Sequence, residues 1–140
     1  MQNLKVRFRN EPYLFINIFF AGVILLIFAY SGIFSPEKNN YPVACIHEEL
    51  TSQPCISCGL SHSFSLIIRG RFAEAYQWNV YGMRIFLFFL AQFMLRIAFS
   101  IFYIRYSDTR KQLIIVDCIG SAIIFLVVFW PFIASIFSGI

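Results

Sequence analysis

Cys55 and Cys58 stand in a Cys-x-x-Cys spacing, with Gly59 directly after them and His62 one helical turn beyond Cys58. Cys45 and His47 lie a short way upstream. Three chemistries fit these residue types. A disulfide from Cys45 to Cys55 or Cys58 would close a small loop, worth on the order of 3 kcal/mol in the chain-entropy account. A thiol-disulfide site would use a thiolate at Cys58, favoured if a helix starts just after it, with Cys55 or Cys45 as the resolving thiol. A zinc site would draw on Cys45, Cys55, Cys58 and either His62 or His47, a three-thiolate, one-imidazole set with acceptable spacing. Covalent c-type haem is disfavoured, because Gly59 stands where that attachment needs a histidine. Beyond a possible zinc ion, no cofactor is implied.

Which chemistry is available depends on the compartment, and the elements around the cysteines decide that. Of the 140 residues, 59% are hydrophobic and only 13% charged, and 18 are Phe, a balance foreign to soluble domains of this size. A bilayer core of ~30 Å takes about 20 apolar residues per helical span. Three stretches qualify, at about 13–34, 80–104 and 113–137, within a single membrane domain covering 1–140. Asn10, Glu11 and Pro12 introduce the first as a capped helix start. Ala29, Tyr30 and Ser31 faintly resemble a signal cleavage site, but the run is longer than a secretory apolar region, and it is read as an uncleaved span. Trp130 and Pro131 predict a kink or the end of the regular span inside the third run. Cys118, in that run, reads as a small buried hydrophobe.

Lys and Arg near the span ends set orientation. Lys5, Arg7 and Arg9 precede the first span, and Arg105, Arg110 and Lys111 lie between the second and third. The segment 35–79 is slightly acidic, with Glu37, Glu48, Glu49 and Glu74 against Lys38, Arg69 and Arg71. The expectation is a cytoplasmic N-terminus, an extracytoplasmic 35–79 segment and an extracytoplasmic C-terminus. The net charge of +4 is then explained by topology, without nucleic acid as a partner. Outside the cytoplasm, paired thiols tend to oxidise.

Within 35–79, Leu60, Phe64, Ile67 and Ile68 recur at helical spacing, with Ser61, His62, Ser63 and Ser65 on the remaining faces. Gly70 can end that short helix, and Phe72 to Trp78 can form a second. The fold class expected is therefore all-α integral membrane: three transmembrane helices plus a short amphipathic or re-entrant helical hairpin in the outer loop, on or dipping into the outer leaflet.

Cys45, Cys55, Cys58, Gly59, Ser61 and then Gly70, Ala75 and Asn79 carry a resemblance across about 43–82. The pattern is similar to that of a family of small bacterial membrane proteins of unknown function, whose motif reads Cys-Pro-x-Cys-Gly-x-Thr-Arg before a short helix and then Asn-Pro before a transmembrane helix. Ser61 stands where that pattern has Thr. Ile56 replaces the proline between the cysteines, His62 the arginine and Val80 the proline after Asn79. The resemblance implies an architecture, a structural motif and a bacterial inner membrane as the location, and names no activity.

Arg96 and Asp117 fall in the inner halves of the second and third spans. A lone charge there costs at least ~2.5 kcal/mol on insertion scales, so the two are expected to pair, with Gln92 and Asn17 completing a polar cluster. Such a cluster fixes helix packing or forms a proton or ion path. No nucleophile with its base and no phosphate loop is recognisable, and Glu48 and Glu49 are adjacent rather than convergent. The leading expectation is a non-enzymatic scaffolding or accessory subunit with a disulfide-tied hairpin, ahead of a membrane thiol-disulfide oxidoreductase and a zinc-binding membrane protein. Lipid is the certain partner on this reading. Gly120, Ser121 and Ala122 would permit close approach of another membrane protein or a second copy.

Overall fold

The computed structural model describes residues 11–34 and 59–137, with side chains in the last helix described through residue 134. These residues form helices α1 (Pro12–Ile33), α2 (Leu60–Ile68), α3 (Phe72–Trp78), α4 (Gly82–Arg105) and α5 (Arg110–Phe137). Helices α1, α4 and α5 are each long and apolar enough to cross a membrane. The expected fold class holds: the described residues are helical, with three long apolar helices and a hairpin of two short ones between the first and second. The chain is a multi-pass membrane protein in contact with lipid.

Side-chain placement is that of a bilayer protein. Large apolar residues along α1, α4 and α5 point outward, among them Leu26, Leu87, Met94, Ile123 and Val127. The residues turned inward include Asn17, Gln92 and Asp117. Lipid offers apolar side chains no less than a protein interior does, so what sorts inward is polarity and small size.

Of the kink or end expected at Trp130 and Pro131, the end is absent: α5 runs through Pro131 to Phe137. Proline removes one backbone donor, a loss that neighbouring groups and local adjustment absorb in a membrane helix. Cys118 is exposed, not buried, because α5 gives the interior little beyond Asp117 and its neighbours. At 28 residues and 1.5 Å per residue, α5 is longer than a ~30 Å hydrocarbon core.

The described residues divide into two compact units: those of Met1–Leu25 with Phe88–Val128, and those of Leu26–Leu87 with Phe129–Ile140. The second has a small apolar core of Leu66, Ile67 and Ala75, against which Met83 and Phe86 pack. The Phe86 ring meets Phe64 edge-on at 5.4 Å and Phe28 at 5.0 Å between centroids. This packing ties α2 and α3 to the start of α4 and the end of α1.

Candidate functional site

In the hairpin, each described residue of the cysteine-glycine motif can be followed to a local cause. Gly59 caps the start of α2 with φ 76°, a left-handed conformation that costs an L side chain about 1–2 kcal/mol. A Cβ there would also lie 2.6 Å from the Trp78 carbonyl oxygen, so shape alone demands glycine. Gly70, again at φ 76°, closes α2. Its N–H donates to the Ile67 carbonyl at 3.0 Å and that of Arg71 to the Leu66 carbonyl at 3.0 Å, the paired bonds of a Schellman cap.

Ala75 is buried in the core of the second unit, and the Asn79 side-chain oxygen accepts the Tyr81 N–H at 2.9 Å, turning the chain into α4. Ser61 sits on the exposed side of α2. Ser63 and Ser65, which fill faces left by the apolar repeat, are fully buried. Ser63 packs where Gly82 has no side chain, and Ser65 donates its hydroxyl to the Phe34 carbonyl at 2.6 Å.

Sequence reasoning gave Arg69 only a role in the charge balance, but it joins α2 to the C-terminal end of α1. Its guanidinium donates to the carbonyl oxygens of Ser31 at 3.3 Å, Gly32 at 2.9 Å, Phe34 at 3.2 Å and Ser65 at 2.8 Å, and to the Ser65 hydroxyl. The last carbonyls of a helix have no partner within it and carry the negative end of its dipole. A planar cation with several donors satisfies them at once. No local pattern in the sequence could have pointed to this, because Arg69 and its acceptors at the end of α1 are more than 30 residues apart.

His62 stacks on Trp78, with ring centroids 4.3 Å apart and planes 12° from parallel. Burial against that ring lowers its pKa below the ordinary 6.5 and favours neutral imidazole. Among the described residues no group of three His, Cys, Asp or Glu gathers to hold a metal. Cys45, His47, Cys55 and Cys58 lie outside the described residues.

The first unit brings Arg96 and Asp117 together. Arg96 Nη1 donates to Asp117 Oδ2 at 2.7 Å, with the carboxylate side chain 1% exposed. Arg96 also donates to Asn17 Oδ1 at 2.7 Å, Gln92 Oε1 at 3.2 Å and Ser121 Oγ at 2.5 Å. Asp117 accepts further from Tyr13 Oη at 2.7 Å and Ser121 Oγ at 3.2 Å.

Asn17 and Gln92 were anticipated in this cluster, whereas Tyr13 and Ser121 were not. Ser121 follows Asp117 by four residues, a spacing that placed it on the same face. The cluster pairs its charges one to one, and all three long helices contribute to it. Near it, Tyr103 donates to Glu11 at 2.6 Å and Arg110 to the same carboxylate at 2.8 Å, with the guanidinium 4.6 Å over the Tyr103 ring. These contacts hold the three helices in register.

No curated protein and no solved structure matches the chain. Residues 45–93 match the family described as Protein of unknown function (DUF2752), a stretch that takes in the hairpin and the first half of α4.

Proposed function

We propose that the chain is a three-span scaffold of a bacterial inner membrane, with a cytoplasmic N-terminus and an extracytoplasmic C-terminus, that presents the cysteine-bearing segment ahead of α2 as an accessory or interaction subunit. One observation carries this reading: the motif residues Gly59, Gly70, Ala75 and Asn79 are engaged in shaping a hairpin that Arg69 fastens to α1. Gly59 makes room for the Trp78 carbonyl, Gly70 caps α2, Ala75 fills the core and Asn79 makes the turn. In this reading a disulfide from Cys45 to Cys55 or Cys58 ties the preceding segment to that platform, and the Arg96–Asp117 pair fixes the spans. Another membrane protein or a second copy is the partner.

A thiol-disulfide oxidoreductase is the second reading, supported by the start of α2 two residues after Cys58, where helix N–H groups favour thiolate. Zinc held by the cysteines with His62 or His47 is the third. Maleimide labelling of the non-reduced, denatured protein separates them. The scaffold predicts at most two free thiols, one of them Cys118, and no catalysis of disulfide exchange by the purified protein. Four free thiols in metal-free protein, or turnover of a disulfide substrate lost in Cys58→Ser, would overturn it, and stoichiometric bound zinc would favour the third reading.

A further inference from the structure

Between Ile68 and Val80 the hairpin leaves large apolar side chains half exposed. Ile68 is 41% exposed, Phe72 54%, Tyr76 59%, Trp78 51% and Val80 56%, five large side chains within thirteen residues. Phe72 and Tyr76 are four apart on α3 and share a face. In water, so dense an apolar surface on a two-helix unit would be costly.

Contacts within the second unit fix these side chains relative to the end of α1 and the start of α4. At one end, Arg69 binds the carbonyls of Ser31, Gly32 and Phe34, where α1 stops. At the other, Ser63 fits against Gly82, the first residue of α4, and only residues 79–81 separate α3 from that helix. Three residues reach about 10 Å at full extension, and the Asn79 turn shortens that. The hairpin therefore cannot stand clear of the plane in which α1 ends and α4 begins. Ile33 and Leu87, on the parts of α1 and α4 that belong to the same unit, are exposed as well.

We infer that Phe72, Tyr76 and Val80 are seated in the lipid of that leaflet, at the boundary of acyl chains and headgroups, with Trp78 at the same level. Tyr and Trp suit this zone because one end of each ring is apolar and the other polar. Lipid chains, and not anionic headgroups, are the occupant, because the hairpin's charges are already engaged. Arg71 is bidentate to Glu74, at 2.7 and 2.5 Å, and Arg69 is committed to carbonyls. Seating is accordingly hydrophobic and independent of the lipid's charge.

This inference rests on the membrane-spanning reading, and the test separates the two. The full chain is reconstituted with tryptophan as a depth reporter, in a background where Trp78 and Trp130 are Phe. Phe72→Trp and, independently, Tyr76→Trp report the hairpin, and Leu26→Trp reports a span, each checked for helical content by circular dichroism. Vesicles are phosphatidylcholine brominated near the headgroup or deep in the chains, with and without phosphatidylglycerol. Both hairpin reporters should lose most of their emission to shallow bromines, resist aqueous acrylamide and behave alike in the two lipid charges. Ready quenching by acrylamide with none by bromines would put the face in water, and protection from both would put a protein there. Either result overturns the inference while Leu26→Trp remains quenched by deep bromines. Failure of that control would overturn the spanning reading.

Discussion

The side chain of Ser63 occupies the space where a Cβ on Gly82 would stand. Such a Cβ would collide with the Ser63 hydroxyl and lie 2.7 Å from the Ser63 Cβ. Gly82→Ala should therefore destabilise the hairpin junction by about 1–3 kcal/mol, the usual range for overpacking. Ser63→Ala should not rescue it, because the Cβ collision persists. Ser63→Gly should restore much of the loss, less about 1 kcal/mol for a helical glycine. Unfolding in mixed micelles checks this, and an unaffected Gly82→Ala variant would contradict the contact.

The Arg96–Asp117 pair is buried and hydrogen-bonded on both sides. Removing one partner leaves an uncompensated charge, so Arg96→Met or Asp117→Leu alone should cost about 3–5 kcal/mol. The double variant should cost clearly less than the sum. Coupling indistinguishable from zero in a double-mutant cycle would sink the assignment.

Arg69→Lys should behave like Arg69→Ala, although it keeps the charge. An ammonium cannot hold the Ser31, Gly32 and Phe34 carbonyls together as the planar fork does. Each variant should lose about 1–2 kcal/mol, with faster hydrogen exchange at the α2–α3 turn. Wild-type exchange in Arg69→Lys would show that charge alone suffices.

His62 supplies a pH dependence. Its pKa in the folded protein lies below the ordinary 6.5 because burial disfavours the cation. The unfolded chain therefore takes up the proton first. The neutral ring's contribution is complete above pH 6.5 and is lost as pH falls through the folded pKa, below which the deficit is constant. Wild type should lose stability relative to His62→Gln over that window. In Trp130→Phe, the emission of Trp78 should fall as the stacked imidazole charges, with a midpoint below 6.5. A midpoint at or above 6.5 would refute burial as the dominant influence.

The spans were legible because three long and mostly apolar runs admit few other structures. The hairpin was legible because Gly70 and the spacing of Phe64 and Ile67 are local signals, and both side chains are buried. The burial of Ser63 and Ser65 was not legible, because periodicity ranks only the apolar residues, whereas close helix approach selects serine for size. Arg69 was invisible as a clamp because its acceptors are backbone carbonyls, which have no signature in the side-chain sequence. Arg96 beside Asp117 was anticipated from the cost of isolated charge, a rule that says two groups must meet without saying which hydroxyls join them.

The ion pair joins consecutive helices, α4 and α5, with only residues 106–109 between them. This has a consequence for biogenesis. As α4 emerges from the ribosome it carries Arg96 without its counter-ion, and α5 would carry Asp117 equally alone, each paying ~2.5 kcal/mol or more on partitioning into lipid. Together they enter as a neutral couple. The insertion machinery should hold α4 at its lateral exit until α5 has been translated and release both at once. A nascent chain ending after residue 109 should partition poorly in glycosylation mapping, and Arg96→Leu should let that truncated chain integrate by itself. Efficient integration of the unsubstituted truncation would show that the two helices enter one at a time.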